Sequence, residues 1–261
     1  MLNRARINSN FIAFVTLLRK ETTRFTRIWV QTLLPSAITI TLYFIIFGHL
    51  LGSQLGKING VSYMQYITPG LIMMPIITNS YTNVVSSFYG IKFQKSIEEI
   101  LISPMPNSLI LLGFCAGGVM RSLAIGIIVT AIALLFTHLY IYNIVITLSI
   151  ALLTATLFSL AGFTNAVFAK KFDDISIVPT FVLTPLVYLG GVFYSVSQFS
   201  PFWQTLAKVN PILYIVNSFR YGVLGITDIN IRLAFIIITL AVITMFYFNL
   251  YLLRKGIGLR T

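Results

Sequence analysis

The chain has 261 residues, of which 57% are hydrophobic and only 9% are charged, with a formal net charge of +12. A soluble domain carries charge on about a quarter of its residues, so this composition excludes a soluble protein and predicts one all-α integral membrane domain of about six spans. The basic excess is typical of residues that flank membrane spans on the cytoplasmic side, and it does not predict binding to nucleic acid.

The first 28 residues predict an amphipathic helix that lies in the cytoplasmic interface of the membrane. Apolar side chains recur along one helical face, and basic side chains occupy the remainder. The predicted face consists of Phe11, Phe14, Val15, Leu18, Thr22 and Phe25, and the basic residues are Arg19, Lys20, Arg24 and Arg27. Two roles explain this pattern equally well: a basic segment that only anchors the chain at the membrane surface, or a helix with a mechanical role in function.

Six apolar segments follow, each long enough to cross a bilayer as a helix. Because the membrane core holds no water, backbone groups must be satisfied within each segment, which favours helices for runs of this length. The predicted spans are 29–51, 67–88, 107–137, 144–169, 176–194 and 232–253. Residues 1–261 therefore form a single domain with a cytoplasmic N-terminus (1–28), a membrane part (29–253) and a cytoplasmic tail (254–261).

The distribution of lysine and arginine predicts that both termini lie in the cytoplasm. Most basic residues outside the spans fall on the side of the termini. The other side has only Lys57, Lys208, Arg220 and Arg232.

Residues 92–104, between the second and third spans, predict a short helix at the cytoplasmic surface, which Pro104 ends. Its apolar face consists of Phe93, Ile97, Ile100 and Leu101, and the residues that point away are Lys92, Lys95, Glu98, Glu99 and Ser103. Lys95 and Glu99 have the spacing of an ion pair on a helix. Paired acids favour docking of a protein partner, and a lipid-surface helix, which would favour lysine, is the alternative.

The stretch 195–230 predicts two short helices that enter the outer leaflet without crossing it. Asn210 as the N-cap and Pro211 in the first turn start a helix that Gly222 or Gly225 ends. Its length of about 13 residues is too short for a span. A shorter amphipathic helix before it is marked by Phe202, Trp203, Leu206 and Val209.

No motif predicts catalysis or a metal site. The nearest approach to a P-loop, Gly52-Ser-Gln-Leu-Gly56-Lys57-Ile58, is one residue short and ends in isoleucine. His49 and His138 are isolated from other metal-ligand types. All six acids are predicted in loops or at the interface, so the intramembrane carboxylate typical of ion-coupled transporters is missing.

Polar residues within the predicted spans are candidates for a transport pathway. Arg121 either faces a path for an anionic substrate or reaches the interface or a backbone carbonyl. Asn79 and Asn83, with nearby serine and threonine, either line a pathway or bond to neighbouring helices. The spacing Gly113-x-x-x-Gly117 permits close helix packing.

Five stretches in order resemble the permease subunits of bacterial type-2 ATP-binding-cassette exporters, which are small inner-membrane proteins with a separate ATPase subunit. The stretches are YMQYITPGLIMM (63–74), SIEEILISPMP (96–106), GGVMRSLAIG (117–126), FAKKFDDISIVPTFVLTPLVYLGGVFYS (168–195) and FWQTLAKVNPILYIVNSFRYGVLG (202–225). The last stretch, with Asn-Pro-x-x-Tyr and a following arginine, is the most specific of the five.

The resemblance implies a role for each surface segment. The loop between spans two and three is a coupling helix that docks on the ATPase through Lys95, Ser96, Ile97, Glu98, Glu99, Ile100 and Leu101. A second cytoplasmic loop and the N-terminal helix border the same subunit, and the loop residues are Lys170, Lys171, Asp173 and Asp174. The outer motif of the re-entrant helices consists of Asn210, Pro211, Tyr214 and Arg220.

The resemblance also implies the assembly. Two permeases, expected to be a homodimer in the bilayer, combine with two ATPases in the bacterial inner membrane. The partner subunit binds ATP and Mg²⁺, while this chain binds no cofactor and is not itself an enzyme. A gradient-driven transporter or channel without an ATPase is the alternative function, and a membrane scaffold is a third.

Overall fold

The computed structural model describes residues 2–50, 56–58, 60–198 and 200–258, and these are almost entirely helical. The helices are α1 (Leu2–Arg27), α2 (Trp29–Thr32), α3 (Leu34–Tyr43), α4 (Tyr63–Phe93), α5 (Ile97–Ile102), α6 (Asn107–Phe136), α7 (Ile144–Phe168), α8 (Asp174–Ile177), α9 (Thr184–Tyr188), α10 (Pro201–Ala207), α11 (Pro211–Leu224) and α12 (Ile231–Lys255). A π-helical turn over Phe44–Leu50 continues α3, another over Val178–Leu183 joins α8 to α9, and a 3-10 turn covers Val196–Gln198.

A two-stranded hairpin is the exception to the all-helical prediction. Strands β1 (Lys57–Ile58) and β2 (Val61–Ser62) pair antiparallel, with Lys57 opposite Ser62 and Ile58 opposite Val61. Ser62 then caps α4, because its hydroxyl accepts a hydrogen bond from the Gln65 backbone at 3.3 Å while the Gln65 side chain accepts one from the Ser62 backbone at 3.2 Å.

Four stretches among the described residues are long and apolar enough to cross a bilayer. They are Trp29–Gly48, Asn107–Phe136, Ile144–Phe168 and Ile231–Lys255. They correspond to the first, third, fourth and sixth predicted spans, so α-helical membrane spans are confirmed at these positions by length and composition.

The other two predicted spans differ from those four. The segment 67–88 lies within α4, a helix of 31 residues whose asparagine, serine and threonine side chains lower its hydropathy. The segment 176–194 is a shorter apolar helix, Asp174–Tyr188, which contains the π-helical turn and ends shortly before Gly191, where φ is +74°. A count of six spans therefore stays a prediction.

Helix α4 lies at the centre of the fold, packed against α6, α7 and α11. Phe88 joins the layers, since its ring lies 5.3 Å from that of Phe114 in α6 and 4.1 Å from that of Phe163 in α7. Gly162 of α7 allows the backbones of α7 and α4 to approach closely. A Cβ added at this position would lie 2.4 Å from the carbonyl oxygen of Tyr81 in α4.

Helix α1 packs its C-terminal half against α6. A Cβ on Gly113 would lie 2.4 Å from the Leu17 side chain, and one on Gly117 would lie 2.6 Å from that of Glu21, so the predicted close packing at these glycines is confirmed. Leu17, Glu21 and Phe25 form the buried line of α1.

The predicted face of α1 is thus wrong in part. Phe11 and Val15 are exposed, whereas Phe25 is buried, and Phe14, Leu18 and Thr22 are half-buried. The sequence also places Glu21 at the interface, yet this carboxylate is wholly buried. The reason is that Glu21 occupies the line of α1 that contacts the glycines of α6, where its side chain finds polar partners.

The contact at Gly162 leads to a prediction for stability. We expect Gly162→Ala to lower the free energy of unfolding by about 1–3 kcal/mol, because the new methyl group forces α7 away from the α4 backbone. Gly90→Ala in α4 is the matched control: an added Cβ meets nothing within 4 Å there, and alanine is the better helix former.

Both variants can be compared by thermal unfolding in mild detergent, followed by labelling of the chain's one cysteine, Cys115. Its thiol is 4% exposed in the fold, so labelling reports unfolding. Equal unfolding temperatures for the two variants would contradict the close contact.

Candidate functional site

The segment between α4 and α6 contains the predicted coupling helix, and the structure shortens it. Instead of one helix over 92–104, α4 ends at Phe93 and α5 covers Ile97–Ile102. Lys95 lies in the turn between them with φ of +59°, a left-handed conformation that stops the first helix. The predicted helical pair of Lys95 with Glu99 is therefore wrong, and these side chains form no ion pair.

The short helix α5 presents an acidic and apolar surface. Ile97 is buried and Ile100 half-buried, which holds the helix against the protein, while Glu98 and Glu99 are exposed as predicted. The remaining positions differ from the predicted apolar face, since Leu101 is 36% exposed and Phe93, now part of α4, is 61% exposed. Ile102 adds a further exposed apolar side chain, at 83%. We call Glu98, Glu99, Leu101 and Ile102 the α5 surface.

The predicted second docking loop, residues 170–174, lies at the same end of the molecule as α5. Phe172 packs its ring 4.7 Å from Phe93 and 5.0 Å from Tyr89. Within the loop, the Asp174 carboxylate accepts hydrogen bonds from the backbone nitrogens of Lys170 at 2.8 Å and Lys171 at 3.0 Å. These bonds favour the ionised form and lower the pKa of Asp174 below its usual value.

A buried lysine fixes that loop to α4. The Nζ of Lys92 donates to the carbonyl oxygens of Val167 at 2.7 Å and Ala169 at 2.8 Å, where α7 ends. The sequence predicts Lys92 to point away from the protein, but the residue is only 6% exposed. The structure thus brings the two predicted docking loops together, with Lys170, Lys171 and Asp173 exposed beside them.

The three candidate pathway residues meet in one buried polar network. Arg121 donates from Nη2 to the Asn79 side-chain oxygen at 2.9 Å and from Nη1 to that of Asn83 at 3.4 Å. Asn79 in turn donates to the Ser36 hydroxyl at 3.1 Å. Arg121 is buried, and these bonds go to side-chain amide oxygens and not to backbone carbonyls, so it links α6 to α4.

The network continues into α1. Arg24 donates to the Asn83 side chain at 2.8 Å and forms an ion pair with Glu21 at 3.0 Å. The other oxygen of Glu21 accepts a hydrogen bond from Ser87 of α4 at 2.6 Å. Sequence analysis missed this role of Glu21 and Arg24. A usable signal was the spacing of the pair, i and i+3, on the line of α1 that also carries Leu17.

The outer motif forms as the sequence predicts. The Asn210 side chain accepts a hydrogen bond from the Ile212 backbone at 3.0 Å, Pro211 opens α11, and Gly225 ends it with φ of +75°. The Tyr214 hydroxyl donates to the carbonyl of Lys208 at 2.9 Å, which ties α11 to the residues after α10. The predicted apolar residues of α10 are exposed: Phe202, Trp203, Leu206 and, just beyond the helix, Val209.

The prediction of orientation from lysine and arginine treats Arg220 as a charge outside the spans. In the structure Arg220 is buried and connects two helices. It is 1% exposed and donates to the carbonyl oxygens of Tyr66 at 3.2 Å and Gly191 at 2.6 Å. A third bond, at 3.2 Å, reaches the Asn217 side-chain oxygen. Its guanidinium also lies 4.0 Å from the centroid of the Tyr66 ring, a cation–π contact. Arg220 thereby joins α11 to the start of α4.

The buried ion pair leads to a stability prediction. Glu21→Gln keeps the size of the side chain but leaves Arg24 without its acid. We expect a loss of about 1–3 kcal/mol, below the value for a fully buried pair because Arg24 is partly exposed. Glu98→Gln removes an exposed acid and is the matched control, expected to unfold like the original chain. Equal thermal unfolding of both variants, followed through Cys115 labelling, would count against the network.

Comparison with known proteins agrees with this architecture. The family model for the ABC-2 type transporter matches residues 12–224. The chain is 53% identical to the inner membrane transport permease YadH of Escherichia coli (strain K12), over 96% of this chain and 98% of that protein. It is 22% identical to nodulation protein J of Neorhizobium galegae, over 95% of each. The chain therefore belongs to the ABC-2 type transporter family and is a membrane transport permease of that type.

Proposed function

We propose that the chain is the transmembrane subunit of an ATP-driven exporter in the bacterial inner membrane, and that a separate ATPase subunit docks on the α5 surface. The observation that carries this proposal is the exposed pair Glu98 and Glu99 on a short helix that also exposes Leu101 and Ile102. Exposed apolar side chains beside acids favour a protein partner. Family membership implies an ATP-binding-cassette partner, and the relative YadH is named as an inner membrane protein.

The contacts of α5 support transmission of motion to the membrane. Ile97 is buried at the start of α5, with three residues between it and the end of α4, and the second loop packs on Tyr89 and Phe93 near that end. Force applied to the α5 surface therefore acts directly on α4. The part of α4 between Pro75 and Phe93 contains no further proline, so movement at this end is proposed to displace that part as one segment. This is a rigid-body switch of the kind that drives other transport cycles.

The pathway is proposed to follow a hydroxyl stripe on α4. Thr78, Thr82, Ser86 and Gly90 recur every fourth residue, and they are the partly exposed or exposed line of a helix that is otherwise mostly buried. Each hydroxyl donates to a carbonyl of its own helix, such as Thr82 to Thr78 at 2.8 Å, so the stripe needs no partner in the membrane. Its oxygen lone pairs remain available to a polar cargo.

A second copy of the chain is proposed to cover this stripe and close the pathway. A groove of about 180 Å³ between α3 and α4 meets the stripe at Thr78 and is also lined by Ser36 and Thr39, among others. Asn79 and Arg121 lie behind this wall, bonded to each other, with Asn79 also bonded to Ser36. They support the wall, so the prediction that they line the pathway is replaced by a supporting role.

The proposed topology retains six spans, with α4 and the stretch Asp174–Tyr188 as the second and fifth. Both termini are cytoplasmic, and α10 and α11 lie in the outer leaflet. ATP and Mg²⁺ bind to the partner subunit. The buried Glu21 does not favour the gradient-driven alternative, because its two oxygens already accept hydrogen bonds from Arg24 and Ser87.

Docking is tested by reversing charge on the α5 surface. In the variant Glu98→Lys with Glu99→Lys, we expect the ATPase subunit to be lost from the tagged permease when it is purified from membranes in mild detergent. The loss follows because a site shaped for two acids repels two lysines. The control, Lys57→Glu with Lys208→Glu, reverses two exposed charges far from α5 and should retain the subunit. Equal recovery of an ATPase with both variants, at equal membrane insertion, contradicts docking at α5.

The dimer and its pathway are tested by cross-linking in membranes. In a chain with Cys115→Ser, we expect Thr82→Cys to give covalent dimers with a short bifunctional maleimide, because the two stripes face each other. Ile127→Cys on α6 is the control, since Ile127 is 71% exposed but lies on another face. Dimers from Ile127 and none from Thr82 would place the interface elsewhere.

A further inference from the structure

A cavity of about 520 Å³ lies beside the α5 surface, and none of the four residues of that surface lines it. It is formed by the end of α4, the turn at Lys95, the end of α7 and the residues that follow α12. This volume falls within the range of about 300–1,000 Å³ that is usual for small-molecule sites. We propose that this cavity binds the phosphate headgroup of an anionic phospholipid.

Charge is the first argument for an anion. Lys92, Lys95 and Lys170 line the cavity, and no acidic side chain is among the described residues that line it. The ammonium of Lys92 is buried, and both of its hydrogen-bond acceptors are neutral carbonyl oxygens. Among the described residues, no carboxylate lies within ion-pair distance of it. A buried cation without a counter-ion is costly, and a bound phosphate removes that cost.

Backbone strain at Lys95 is the second argument. Lys95 is the one residue other than glycine with positive φ among the described parts of the chain, and it lines the cavity from the turn between α4 and α5. A left-handed conformation is strained for a lysine, and such strain is found at ligand sites. Glycine would fit this turn without strain, so stability alone does not explain a lysine at this position.

Apolar surroundings identify the source of the phosphate as a lipid. Tyr89, Phe93 and Phe168 form much of the wall. Phe93, Phe168 and the neighbouring Phe172 are each more than half exposed. Exposed phenylalanine side chains of a membrane protein can insert at the boundary between headgroups and acyl chains, as they do on interfacial helices. A cavity that is lined by lysines and has exposed phenylalanines at its rim suits a molecule that has an anionic headgroup and an acyl tail.

The ATPase partner is a less suitable occupant. A partner surface that accepts Glu98 and Glu99 is expected to be basic next to α5, and a basic surface does not supply an anion to three lysines. Lipid binding in the cavity therefore does not depend on the docking proposed above, and either proposal can fail without the other.

The test is native mass spectrometry of the purified full chain with added phosphatidylglycerol or phosphatidylcholine. The test variant is Lys95→Gly with Lys170→Gln. Glycine suits the left-handed turn, and the Lys170 backbone bond to Asp174 is kept, so the variant should fold at least as well as the original chain. The matched control is Lys171→Gln with Lys255→Gln, which removes two nearby exposed lysines that do not line the cavity.

We expect the original chain to bind phosphatidylglycerol in preference to phosphatidylcholine. The test variant should lose roughly tenfold or more in affinity for phosphatidylglycerol at low ionic strength, while the control changes by less than about twofold. Equal binding by all three proteins overturns the proposal. Displacement of the lipid by excess inorganic phosphate assigns the site to a soluble phosphate, and displacement by the purified ATPase subunit assigns it to the protein partner; both overturn the lipid assignment.

Discussion

The structure depends on one constraint: a chain this apolar must satisfy its buried polar groups from within the protein. Helix α4 is surrounded by other helices and still carries polar side chains along its length. Asn79 and Asn83 receive hydrogen bonds from Arg121 and Arg24, which draws α6 and α1 towards α4. At the other end, Arg220 donates to backbone oxygens and ties α11 to α4. These bonds determine which helices become the neighbours of α4.

The same constraint connects structure to transport. In the proposed mechanism the part of α4 between Pro75 and Phe93 moves as one segment, and its end adjoins the turn before α5. Glu98 and Glu99 form no ion pair with any residue that the structure describes, and they are exposed, so they are proposed to bind another subunit. The hydroxyl stripe differs from these acids, because the Thr82 hydroxyl already donates a hydrogen bond within α4. The stripe is therefore a polar surface that needs no further hydrogen-bond acceptor. In the proposed mechanism the ATPase docks on α5, the end of α4 transmits the motion, and the substrate passes along the hydroxyl stripe of α4.

Sequence patterns predicted the features that local chemistry decides. The start of α11 at Asn210 and its end at Gly225 follow from capping, and the exposed Glu98 and Glu99 follow from helical periodicity. Helical periodicity does not predict a change of backbone conformation, such as the left-handed turn at Lys95 that divides the expected helix. The roles of Lys92 and Arg220 were beyond prediction, because each depends on which distant segment lies opposite, whereas the spacing of Glu21 and Arg24 was a signal that could have been used. Burial of a charged residue is decided by tertiary neighbours, and its own sequence context says little about them.

The central claim is that ATP-driven motion at α5 reaches the middle of the membrane through α4. The most direct measurement is the distance between spin labels on the two copies of the permease in the complex with its ATPase, without and with ATP. One labelled pair is placed at Ile102 on α5 and another at Thr82 on α4, in a chain with Cys115→Ser. We predict that both distances change together when ATP is added. A change at Ile102 with no change at Thr82, or no change at either position, would contradict the account.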